Sequence, residues 1–185
     1  MREICLHRIY YPVTALGPGR RLGVWVQGCG RRCEGCLSPE MQPYTGIPMP
    51  VEQILQKLPT DMNPDGLTVS GGEPFDQPGA VLEIARWFVK KYTTDVLVYT
   101  GYTLQQLRQR EDPDTEALLN YTAALVDGPY RQNQNRGRGW MGSDNQNLHV
   151  FRCAERYRDF EKAQRKLQAV QEHGRLLFIG LPPQP

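Results

Sequence analysis

Long apolar runs are absent from this 185-residue chain. The opening MREICLHRIYYP holds none, so no signal peptide is expected. No stretch approaches the ~20 residues of a membrane span, and no membrane is expected as a partner. A dominant charge is lacking too. Lysine and arginine total 22 against 20 aspartates and glutamates, a net charge of +2. That is neither the basic excess of a duplex-binding protein nor an acidic disordered tail, so nucleic acid is not an expected partner. Internal repeats are missing. Cysteine is scarce and odd in number, five in all, and three of the five fall within eight positions. So tight a triplet cannot staple a fold. The expected compartment is the cytoplasm, where structural disulfides are rare. The length suits one domain with a buried core.

What is present alternates between strand-like and helix-like segments. Apolar, β-branched runs predict strands at Gly23 to Gln27, Leu67 to Ser70, Asp95 to Thr100, Ala123 to Val126 and Leu176 to Ile179. Helices are expected from Val51 to Leu58 behind Pro50, and from Pro78 to Tyr92 with Val81, Ile84, Ala85, Phe88 and Val89 on one face. Thr103 and Asp112-Pro113 have the character of helix starts. A long helix is expected over residues 154–172, where Tyr157, Phe160, Ala163, Leu167 and Val170 are spaced by three and four. Residues 131–147 are rich in glycine, asparagine, glutamine and arginine and read as a loop. Residues 181–185 read as an extended tail. The alternation predicts an α/β fold with a mainly parallel sheet.

Such sheets bind ligands at the carboxyl ends of their strands. Four turns share that edge: the cysteine loop after GVWVQ, Ser70-Gly71-Gly72-Glu73-Pro74, Thr100-Gly101-Tyr102 and Asp127-Gly128-Pro129. The loop GCGRRCEGC carries Cys29, Cys33 and Cys36. A structural zinc site needs a fourth ligand, from Cys5, Cys153, His7, His149 or His173, and none has a partner at zinc spacing. An iron–sulfur cubane with three thiolates keeps an open iron, the mark of a catalytic centre. Two glycines let a ligand approach the backbone, and Glu73 offers a negative partner for an ammonium. Thr100 fits a strand end as well as a ligand contact, and Asp127 a simple Asp-Gly turn as well as a cation partner. Arg131, Arg136 and Arg138 read as a solvated loop, and Cys5 and Cys153 as plain thiols.

The cysteine spacing of three then two, followed by SGGEP, resembles the radical S-adenosylmethionine superfamily. Tyr11-Pro12, Gly17-Pro18-Gly19, Tyr99 to Tyr102, Leu125 to Gly128 and Gly142 to Gln146 narrow the resemblance to the activases of anaerobic ribonucleotide reductase. It implies a partial, open βα barrel, with a radical S-adenosylmethionine core over residues 1–150. Residues 151–185 would add a helix and a strand to the same domain. It implies that Cys29, Cys33 and Cys36 hold a [4Fe–4S] cluster. Ser70, Gly71, Gly72, Glu73, Thr100 and Asp127 would bind S-adenosylmethionine, and Asn145 and Gln146 would close a loop nearby. The reaction would form a 5′-deoxyadenosyl radical that takes a glycine hydrogen from the reductase or another glycyl radical enzyme. A flavodoxin or ferredoxin would donate the electron. Two departures stand out: Leu37-Ser38 follows Cys36 where the activases place an aromatic residue and asparagine, and the chain continues well past Gln146. Two other readings stay open, direct modification of a peptide or small molecule, and a zinc-stabilised binding module.

Overall fold

The computed structural model describes residues 2–172 and 174–183. In chain order its elements are β1 (Glu3–Ile4), β2 (Leu6–Val13), β3 (Arg21–Val26), β4 (Met49–Pro50), α1 (Val51–Gln56), β5 (Gly66–Gly71), α2 (Pro78–Lys91), β6 (Val96–Tyr99), α3 (Leu104–Arg108), α4 (Pro113–Tyr121), β7 (Ala124–Asp127), β8 (Asn147–Val150), α5 (Ala154–Tyr157), β9 (Leu167–Glu172) and β10 (Arg175–Gly180). The central sheet has the order β2-β3-β5-β6-β7-β8. Its four inner strands run parallel, and β2 and β8 are antiparallel edges. The mixed α/β class and the mainly parallel sheet are therefore as expected.

The inner strands are apolar on both faces, as strands covered on both sides must be. Leu22, Val24, Val26, Val69, Val96, Val98 and Leu125 pack against α1, α2 and α4. On the other face Trp25 joins Val13, Leu16, Val170 and Ile179. Leu97, Ala124 and Val126 meet Met141, Tyr157 and Phe160 there. The helix starts follow their caps. Thr103 and Gln106 close a capping box on α3, and the Asp112 carboxylate accepts from the N–H groups of Asp114 and Thr115 at α4. In α2, Val81, Ile84, Ala85 and Phe88 are buried, and Lys90 and Lys91 lie at the carboxyl end, where cations are favoured.

The long helix expected over residues 154–172 is not there. α5 stops at Tyr157, a 3-10 turn follows at Phe160–Lys162, and β9 pairs with β10 in a separate two-stranded hairpin. Arg165 explains the break. It is buried and donates to the carbonyls of Gly139 and Met141 and to Asn135 Oδ1, which pulls the chain off a helical course. Beyond it LQAVQE alternates with period two and buries Val170. Leu176 to Ile179 is a strand, as expected, but it lies outside the central sheet. The end of the expected tail, residues 184–185, and His173 lie outside the described residues. Among the described residues no helix is long and apolar enough to cross a membrane.

Candidate active site

The parallel register brings the four turns together. Val26 pairs with Gly71, Val69 with Val98, and Tyr99 with Val126, so β3, β5, β6 and β7 end on one edge. A cavity of about 300 Å³ opens there. Cys29, Cys33, Cys36, Glu73, Thr100 and Gln146 line it, with Ser70, Gly71 and Gly72 at the end of β5.

The cysteine loop leaves β3 and returns beside its own start. Gly28 N–H donates to Met41 O and Cys29 N–H to Gln42 O, both at 2.9 Å. Gln27 fastens the stem. Its side-chain amide donates to Glu40 O at 3.1 Å and Pro43 O at 2.7 Å. All three cysteines are half-buried and free. Burial raises the Cys29 thiol, and Glu73 and Asp76 raise it further, while the backbone N–H groups of Arg31 and Arg32 facing its sulfur lower it. Ser38 N–H donates to Cys36 Sγ at 3.4 Å. Backbone donors of this kind stabilise thiolates and tune a bound metal centre.

The glycine pair answers a close approach of backbone to backbone. Gly71 has φ 104°, and a Cβ there would lie 2.6 Å from Val26 N and O. A Cβ at Gly72 would overlap the Gly28 carbonyl. In exchange Gly72 N–H donates to Val26 O at 2.7 Å and Glu73 N–H to Gly28 O at 2.8 Å. The glycines thus seat the cysteine loop against the end of β5. Glu73 is 1% exposed. Its Oε1 accepts from Phe75 N at 3.0 Å and Thr100 Oγ1 at 2.8 Å, and its Oε2 accepts from Gly101 N at 2.8 Å. Burial pushes its carboxyl up to about 7, against the pull of those three donors.

A hub on Asp76, which the sequence does not single out, ties the turns together. Its Oδ2 accepts from Gly30 N at 3.1 Å and Tyr44 OH at 2.6 Å, and its Oδ1 accepts from Tyr102 OH at 2.9 Å. The guanidinium groups of Arg31 and Arg110 lie 4.7 and 4.0 Å from the Tyr102 ring centre. Gln146 closes the loop after β7. It donates to Gly128 O and accepts from the N–H groups of Gly142 and Ser143, and Asn145 donates to Pro129 O.

The donor set fits a cubane. No group of three His, Cys, Asp or Glu side chains among the described residues is placed to hold a metal ion. A cubane asks for something else, one thiolate on each of three irons around a cluster. Three free cysteines around one cavity match that demand. The comparisons agree. The model of a family described as a 4Fe-4S single cluster domain matches residues 15–149. An anaerobic ribonucleoside-triphosphate reductase-activating protein of Vibrio cholerae is 34% identical over 152 residues, 77% of this chain and 96% of the relative. One from Enterobacteria phage T4 is 28% identical over 147 residues, 76% of this chain and 90% of the relative. A pyruvate formate-lyase-activating enzyme of Clostridium pasteurianum is 37% identical over 76 residues, 38% of this chain and 32% of that enzyme.

The chain belongs to the anaerobic ribonucleoside-triphosphate reductase-activating proteins. Within this activase the other expected site residues have distinct places. Thr100 lines the cavity and holds Glu73. Asp127 does not line it. Its Oδ2 accepts from Leu104 N at 2.6 Å at the start of α3, its Oδ1 accepts from Asn147 Nδ2 at 3.0 Å, and His149 Nε2 lies 3.0 Å from Oδ2. Asp127 is buried and occupied by protein. Cys5, His7, His149 and Cys153, the described candidates for a fourth zinc ligand, also stand outside the cavity lining. What sequence reasoning missed are Asp76, Tyr44 and Gln27. Each is a lone polar residue without a spacing partner.

Proposed function

We propose that this activase is a radical S-adenosylmethionine enzyme that installs a glycyl radical on an anaerobic ribonucleotide reductase. The observation that carries the reading is the meeting of three free thiols and a buried, triply hydrogen-bonded carboxylate in one cavity. The chemistry a bound [4Fe–4S] cluster would supply, given one external electron, is reductive cleavage of the C5′–S bond of S-adenosylmethionine to methionine, with the deoxyadenosyl carbon then satisfied by a hydrogen atom from a glycine Cα of the partner.

The chain's own residues bind and orient. Cys29, Cys33 and Cys36 would each hold one iron, which leaves the fourth for the amino and carboxylate groups of S-adenosylmethionine. Glu73 is held in one orientation by Phe75, Thr100 and Gly101, so its carboxylate is pre-positioned to accept from the N–H of that amino group. Ser70, Gly71 and Gly72 form the turn that carries it. Leu16, Trp25 and Met41 on the cavity wall exclude water from the reactive carbon. In this reading Asp127 acts indirectly, by fixing the start of α3 beside Tyr102.

The six-stranded sheet is then the open face of a partial βα barrel. Residues 1–150 form the radical core and residues 151–185 an extension of the same domain. Free cysteines and a cluster suit the cytoplasm, with a reduced flavodoxin or ferredoxin as donor. The test is anaerobic reconstitution with iron and sulfide, then S-adenosylmethionine and dithionite, with 5′-deoxyadenosine quantified by mass spectrometry. Adding the reductase should give a glycyl radical by electron paramagnetic resonance. Cys33→Ala should abolish both the cluster and the product. Product formation that persists in Cys33→Ala would sink the reading, as would a colourless protein that retains zinc.

A further inference from the structure

The hairpin β9–β10 lies beyond residues 15–149, where the family model matches. It nonetheless builds one wall of the active-site cavity, through Phe178, Ile179 and Leu181. Its two faces differ sharply. Val170 and Ile179 are buried against Val13, Leu16 and Trp25. On the other face the antiparallel register sets Leu176 across from Gln171, Phe178 across from Ala169, and Gly180 across from Leu167. Leu176 is 64% exposed, Phe178 60% and Leu167 44%. No charged residue stands among these six positions. The outer face of a hairpin that met only water would be polar.

Phe178 belongs to both surfaces, because it is exposed and also lines the cavity. Leu37, 39% exposed, is in the same lining. Leu37 and the extension are the two places where this sequence departs from the activase pattern. Both line the cavity of the radical site.

We infer that the β9–β10 hairpin is the partner-facing wall of the active site, on which an apolar, glycine-bearing loop of the protein substrate seats. The inference rests on the radical activase reading, since only a macromolecular substrate must cross this rim to bring a glycine to the cavity. The occupant is apolar because the face carries no charge for an acidic or phosphorylated surface to meet. Leu176, Phe178 and Leu167 supply its contacts, and Leu37 shares the cavity lining with Phe178. The hairpin therefore acts on which protein is activated and leaves cleavage of S-adenosylmethionine to the cavity floor.

The experiment compares the wild-type protein, Leu176→Ser/Leu167→Ser and Phe178→Ser, all reconstituted. One readout is 5′-deoxyadenosine formed with dithionite and no reductase. The other is glycyl radical formed on the anaerobic reductase of the same organism, titrated in concentration. The double variant should form 5′-deoxyadenosine within twofold of wild type, yet need at least fivefold more reductase for half-maximal radical. Phe178→Ser should show the same demand, and Phe178→Leu should relieve it. An unchanged reductase dependence overturns the inference. So does an equal loss of both readouts in the double variant, which would make the hairpin part of the cofactor pocket. A wild-type dimer that the double variant splits, with unchanged activation, would assign the face to a second copy and overturn it too. Wild-type protein that forms no 5′-deoxyadenosine would instead refute the radical reading underneath.

Discussion

Glu73 shows how a single buried carboxyl can report on ligand binding. Its ordinary value is 4.5 and burial raises it to about 7. Between those values the folded protein holds a proton that the unfolded chain releases. Stability from this group is therefore full below 4.5 and is lost as pH rises through 7, by about 3 kcal/mol. A ligand amino group that donates to this carboxylate reverses the preference, because it binds the ionised form. The ratio of wild-type to Glu73→Gln affinity for S-adenosylmethionine should fall about tenfold from pH 8 to pH 6. Taking the ratio cancels the ligand's own titration, and anaerobic calorimetry on the reconstituted protein reads it. A flat ratio would remove Glu73 from binding of the amino group. Gly72 gives a second residue-level test. A Cβ there meets the Gly28 carbonyl, which cannot move without shifting the cysteine loop. Gly72→Ala should cost about 1–3 kcal/mol in urea denaturation and lower iron incorporation.

Elements differ in how much of themselves they reveal in the sequence. The inner strands β3, β5, β6 and β7 are short apolar runs bounded by turns, and α2 has its buried face at helical spacing, so both are legible. Caps at Thr103 and Asp112 are legible because residues within one helical turn decide each. The stretch after α5 is not. Tyr157, Phe160 and Val170 are buried as expected, but in two separate core clusters. Their spacing fits one helix face by coincidence. What overrides it is Arg165, a long polar side chain whose three acceptors lie 24 to 30 residues earlier. The site divides the same way. The cysteines and SGGEP carry their signal in local spacing. The Asp76 hub is assembled from four separate segments, so only the folded chain displays it. Arg165 also holds the loop that ends in Gln146. Arg165→Ala should leave the Gly139 and Met141 carbonyls unsatisfied, at about 1–3 kcal/mol in stability. It should also expose residues 131–146 to limited proteolysis, and unchanged cleavage there would show that the loop holds itself.

At the scale of the whole molecule, one buried charge cluster joins the core to the extension at the end of the sheet away from the cavity. Arg21, fully buried at the start of β3, donates to Asp95 Oδ1 and Oδ2 at 3.0 and 3.1 Å, to Thr68 Oγ1 at 2.6 Å and to Leu67 O at 2.7 Å. From the extension, Arg156 Nε lies 2.7 Å from Asp95 Oδ2, and Tyr157 OH donates to Asp95 Oδ1. Burial alone would push the Arg21 guanidinium toward its neutral form, and Tyr157 and Asp95 around it hold its pKa above the ordinary value. Asp95 thus serves two arginines, one from each part of the chain. Asp95→Asn leaves both without a counter-charge, and an uncompensated buried charge costs about 3–5 kcal/mol. The variant should unfold at a much lower urea concentration. It should still form 5′-deoxyadenosine in the cold, because the cluster lies at the opposite end of the strands from Cys29 and Glu73. Since the extension contributes Arg156 and Tyr157 to the core's own ion cluster, wild-type protein should unfold in one step, with tryptophan fluorescence and circular dichroism superimposed. A first transition that removes only the strand signal of the hairpin would show instead that residues 151–185 fold apart from the core.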